Sequence, residues 1–111
     1  MSELDVGNVV IVHCRDPKEK LWGLLQRLDG VGVALRGLDL GAVEDWLRQE
    51  AAGEEQLLTP STFFIPMHRV QRIDLDEPVG PVPAFADRYR DASGVDVREV
   101  LGRMTRGPAS S

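Results

Sequence analysis

The sequence predicts a mainly β fold: a five-stranded, strongly bent antiparallel barrel with one helix inserted between strands three and four and short helices after the fifth strand. Three observations predict it. β-Prone runs follow one another from Val9 to Leu38 with only short turns between them, the mark of an antiparallel meander. Apolar residues then switch to helical spacing between Val43 and Ala51. Two further β-prone runs, Phe63–Ile65 and Val70–Leu75, are separated by a break of a few residues led by Pro66. That pattern suits the last corner of a small barrel, where one strand ends and re-enters as the next.

The elements follow in order. Val9-Val10-Ile11-Val12-His13-Cys14 is a compact β-branched run and reads as the first strand. Asp16-Pro17 initiates a turn, and Lys20 to Leu28 reads as the second strand. Alternation puts Trp22, Leu24, Gln26 and Leu28 on one face and Leu21, Gly23, Leu25 and Arg27 on the other. Asp29-Gly30-Val31-Gly32 supplies a tight hairpin into the third strand, Val33–Leu38. Val43, Trp46, Leu47 and Ala51 form one helical stripe, with Asp39 or Gly41 to cap its start and Gly53 at its end. The residues from Asp76 to Pro83 include three prolines and read as an extended connector. Beyond it, Phe85 and Tyr89 share a face of a short helix from Ala84 to Ala92. Asp96 caps a second helix, with Glu99 as capping-box partner and Val97, Val100, Leu101 and Met104 as its stripe. The expected organisation is a barrel over residues 1–77, a connector over 78–83, a helical segment over 84–104 and a disordered tail over 105–111.

Length and composition bound the function. A chain of 111 residues is one domain's worth, and its 42% apolar and 28% charged residues are ordinary for a globular protein. The net charge of −5 offers no basic field to concentrate a polyanion, which disfavours nucleic acid as a partner. The charge is uneven: residues 1–77 carry 14 acidic and 8 basic side chains, whereas residues 78–111 carry 4 and 5. The C-terminal helices are thus free to dock on an acidic barrel, their own or a neighbour's. One cysteine, Cys14, excludes an internal disulfide and suits a reducing compartment. The first residues lack a basic and apolar leader, and no apolar run has membrane-spanning length. The expectation is a cytoplasmic protein without a membrane partner.

One element carries a family resemblance. Gly23-Leu24-Leu25-Gln26-Arg27-Leu28-Asp29 is similar to the first motif of Sm proteins, in which Gly, Leu and Asp recur at these intervals. Leu35-Arg36-Gly37 looks like the Arg-Gly of their second motif, although it stands on the third strand instead of the fourth. Where the family has an RNA-contacting asparagine, this chain has Gly30-Val31-Gly32-Val33. Over residues 6 to 77 the chain resembles uncharacterised bacterial small barrels of the Sm-like or SH3-like type. The resemblance implies that barrel and, in its RNA-binding form, a role for Arg36, Arg69 and Arg72.

No residue pattern indicates catalysis. His13 and Cys14 are adjacent on a strand, so their side chains point to opposite faces and cannot act as base and nucleophile. Two histidines and one cysteine scattered singly lack metal-ligand spacing, and no cofactor is implied. Asp74, Asp76 and Glu77 read as a solvated acidic edge or, with further ligands, a place for a hard cation. Gly30-Val31-Gly32 precedes no helix and so reads as a hairpin instead of a phosphate loop. Arg36, Arg69 and Arg72 are the candidate binding residues, able to grip a carboxylate or phosphate. Trp46, Phe85 and Tyr89 read either as core, where their helices cap the open end of the barrel, or as the candidate interface residues, because buried aromatic area favours subunit contacts. The leading expectation is a non-catalytic interaction module that self-associates through its barrel edges or helices. An Sm-like RNA binder and a small-molecule site under the inserted helix are the competing classes.

Overall fold

The computed structural model describes residues 4–53 and 59–106, the last four as backbone only. Five strands run β1 (Val9–Cys14), β2 (Glu19–Leu28), β3 (Gly32–Asp39), β4 (Ser61–Pro66) and β5 (Val70–Leu75). They form one antiparallel sheet in the order β4-β3-β2-β1-β5. Among the described residues three α-helices accompany it: α1 (Leu40–Ala52), α2 (Phe85–Ser93) and α3 (Val97–Arg106). α3 therefore carries Thr105 and Arg106, which the sequence assigned to a tail; residues 107–111 of that expected tail lie outside the described residues.

The sheet curls but does not close. A 3-10 turn at Met67–Arg69 joins β4 to β5, and no ladder pairs these two strands among the described residues. Yet Ile65 of β4 and Val70 and Ile73 of β5, from opposite edges of the sheet, join one apolar cluster with Val10, Val12, Cys14, Leu21, Leu25, Val33 and Leu35. Two strands at opposite edges reach one core only if the sheet bends. The bend has a local cause. Gly23 on β2 faces Gly37 on β3, and a Cβ on Gly37 would stand 2.0 Å from the Trp22 carbonyl oxygen. Backbone fills the space that side chains occupy elsewhere, so only glycine fits at this crossing.

Turn chemistry sets the register of the meander. Asp29 Oδ1 accepts from the amides of Val31 (2.9 Å) and Gly32 (3.3 Å), while Arg27 Nε donates to Oδ2 at 2.8 Å. Those donors, Arg27 first, hold the Asp29 carboxyl below its ordinary range. A bulge between Leu25 and Arg27 breaks the alternation expected for β2. Leu28 consequently lies opposite Val33 of the inner cluster and leaves the face that carries Trp22 and Leu24.

The opposite face of β1–β3 is covered by the helices. Val9, Trp22, Leu24 and Leu38 pack there against Val43, Trp46 and Leu47 of α1, Tyr89 of α2 and Val97 and Leu101 of α3. Asp39 caps α1 by accepting from the Gly41 amide at 3.3 Å, and Gly53 closes it with a φ of 68°. Ala51, the fourth member of the expected stripe, is exposed in the last turn. Asp96 caps α3 through the Arg98 amide at 2.9 Å. Its carboxyl also binds the Arg98 and Arg90 side chains, and the Arg98 guanidinium above all holds it low.

Candidate interaction surface

The structure places the three sequence-predicted arginines apart. Arg36 lies on the helix-covered face of β3, level with Leu24, and donates to Thr62 Oγ1 at 3.1 Å. Arg72 lies on β5 opposite His13 and binds Asp74. β2 and β1 stand between them, three strand spacings or about 14 Å along the sheet. Arg69 is used inside the chain. Its guanidinium donates to Arg15 O (3.2 Å), Pro17 O (2.8 Å) and Glu19 Oε2 (2.7 Å), while Arg15 N returns a bond to Arg69 O at 2.9 Å. Arg69 thus staples the β4–β5 corner to the β1–β2 turn, where Asp16 has a φ of 53° that an aspartate tolerates. The three do not form one grip.

Two of the three candidate interface aromatics are withdrawn from the surface. Trp46 is 1% exposed and Tyr89 3%; their rings stack 4.8 Å apart, 14° from parallel. Phe85 is half-buried and meets Trp22 edge-on at 6.5 Å, under the Arg88 guanidinium. A helix stripe and a strand face bury them within one chain, as packing alone requires. Arg88 also forms a bidentate pair with Glu44 at 2.7 Å, tying α2 to α1 and holding the Glu44 carboxyl low.

The acidic stretch after β5 has a structural role that the sequence does not disclose. Asp76 Oδ1 accepts from Phe85 N (3.0 Å), and Oδ2 accepts from Ala86 N (2.9 Å) and Trp22 Nε1 (3.2 Å). Ala84, the residue at the N-cap of α2, has no capping side chain, so Asp76 caps the helix from nine positions before Phe85. The signal was available only as an acidic residue upstream of an uncapped helix. Asp74 is engaged separately: Oδ2 lies 2.9 Å from His13 Nε2 and 3.1 Å from the Arg72 guanidinium. Burial pushes its carboxyl up, but the hydrogen bonds and charges of Arg72 and His13 outweigh that and hold it below the ordinary range. No group of three or more metal-ligating side chains converges among the described residues. At Cys14, burial pushes the thiol up against the pull of Arg69, which disfavours the thiolate a nucleophile needs.

The surface left over is the pair of sheet edges. Met67 N donates to Val31 O across β3–β4, so alternation in an antiparallel ladder turns the main-chain groups of Thr62 and Phe64 away from β3. Pro66, which has no N–H to lose, continues that outward series. On the other side Asp76 N donates to Val9 O, which turns the groups of Ile73 and Leu75 away from β1. Phe64 stands 49% exposed on the β4 edge, with its ring over Gly32. Beside β5, a groove of 430 Å³ is lined by Ile11, Leu75, Val79, Val82 and Phe85, with Asp74 and Glu77 among its polar groups.

No family model, curated protein or solved structure matches the chain. No helix among the described residues is long and apolar enough to cross a membrane.

Proposed function

We propose that this chain is a non-catalytic interaction module of the Sm-like or SH3-like small-barrel type, which self-associates by pairing the β4 edge of one copy with the β5 edge of another. The observation that carries the reading is the pair of edges, unpaired among the described residues, with outward main-chain groups on Thr62, Phe64, Ile73 and Leu75. Such edges are templates for strand addition. The barrel type is supported by the strand order and by the 3-10 turn between the last two strands. The described apolar residues of the helices, Val43, Trp46, Leu47, Tyr89, Val97 and Leu101, pack into the cluster on the sheet, which favours the edges over the helices for the contact. One edge of each kind per copy makes the contact head-to-tail, which closes into rings or continues as filaments. Size-exclusion chromatography with light scattering tests this: the expected mass is a multiple of 12.3 kDa that grows with concentration. A 12.3 kDa particle at millimolar concentration overturns it.

A further inference from the structure

Phe64 and the groove beside β5 each leave apolar surface exposed, one at either edge of the sheet. A half-exposed phenyl ring on a strand edge leaves apolar area in water that burial in a partner would remove. The groove at the other edge is equally unsatisfied: Val79 is 70% exposed and Val82 61%, on a short bridge that pairs them with each other. Its 430 Å³ falls within the roughly 300–1,000 Å³ of ligand-sized clefts and holds an aromatic side chain. One wall of the groove shares the face of Phe64, while Ile73 and Leu75, opposite Val12 and Val10 of the inner cluster, form the other. Phe64 pairs with Ala34 and alternates with Phe63 and Ile65, which enter the inner cluster, so it stands on the helix-covered face. Ile11, which lines the groove, packs toward that same face. Charge agrees as well. Arg36 stands beside Thr62 on the Phe64 side and has a buried Nε without a partner among the described residues. Glu77 lies on the groove side, next to Asp74, which Arg72 and His13 already hold.

We propose that Phe64 of one copy enters the groove lined by Ile11, Leu75, Val79, Val82 and Phe85 of a second copy, locking the β4 edge to the β5 edge. The lock rests on the self-association proposed above and names its contact. A centrally buried aromatic anchor carries most of the energy of such interfaces, so its loss dissolves the assembly.

The test uses two full-length variants, Phe64→Ser and the double variant Val79→Asp/Val82→Asp, with folding checked by circular dichroism. All three positions are exposed, so both variants keep the fold. Each alone runs at 12.3 kDa in light scattering, and an equimolar mixture recovers a particle of twice that mass. The mixture recovers because one variant retains its groove and the other its phenyl ring. If wild type assembles and Phe64→Ser assembles equally well, the lock is overturned while edge pairing stands. If Phe64→Ser dissolves the assembly but the groove variant does not, Phe64 meets another surface and the lock is again overturned. A wild-type monomer overturns the lock together with the edge pairing.

Discussion

The two faces of β1–β3 are both buried, but by different means. The inner face is closed by the sheet's own curl, with Ile65 and Ile73 arriving from opposite edges. The other face is closed by helices that belong to a different part of the chain, through a run of rings from Phe85 to Trp22 to Trp46 to Tyr89. The inner face depends on backbone that comes close enough to bend, at Gly23 and Gly37. The helix face depends on large side chains and on one carboxylate, Asp76, that holds a strand tryptophan and a helix terminus together. Curling a sheet needs small residues at the crossing; attaching helices to it needs large ones.

Substitutions separate the two designs. The largest effect is expected at Trp46→Ala, which empties the centre of the helix face and costs about 3–5 kcal/mol in urea unfolding. Because both layers share β1–β3, unfolding stays a single transition; two transitions would break the comparison by making the layers independent. On the inner face, Gly37→Ala places a methyl group against the Trp22 carbonyl, and the strand must move. About 3 kcal/mol is expected, at the upper end of overpacking costs. A loss below 1 kcal/mol would show that the crossing is looser than its geometry.

Asp76→Ala removes the clamp between strand and helix and leaves three N–H donors without their acceptor. The expected cost is about 2 kcal/mol, with faster hydrogen exchange at Phe85 and Ala86 than elsewhere in the chain. Uniform acceleration across all elements would argue that Asp76 acts on global stability alone.

The smallest effect is the acid response. Asp74 and Asp96 are both held below the ordinary carboxylate range in the folded chain. Their contribution is present in full above the unfolded value of about 3.9 and is lost as pH falls through the folded values. Thermal melts between pH 5 and pH 2 should therefore fall more steeply for wild type than for Asp74→Asn or Asp96→Asn. Asp74 lies on the sheet edge and Asp96 at a helix start, so equal flattening by both shows that neither layer owns the acid sensitivity.

Much of the meander was legible. Val9–Cys14 and Val70–Leu75 are strands because β-branched runs say so, and Asp39 and Gly53 bound α1 as their chemistry dictates. The bulge after Leu25 was not legible, since it depends on how β3 is paired and nothing in Leu25-Gln26-Arg27 marks it. The candidate site was legible only in part. Arg36, Arg69 and Arg72 were visible as cations, but their separation, and the use of Arg69 as a staple, follow from which strands become neighbours.

By itself the sequence determined the order of the strands along the chain, the inserted helix and the caps of that helix. These follow from spacing and turn chemistry within a few residues, where local geometry acts. Only the tertiary structure decided between core and interface for Trp46 and Tyr89, showed that Asp76 caps a helix from a distance, and left the outer edges of the last two strands unpaired among the described residues. Each of those depends on residues brought together from far apart in the chain. Such contacts are set by how sheet and helices share the available apolar surface, and no local pattern records that division.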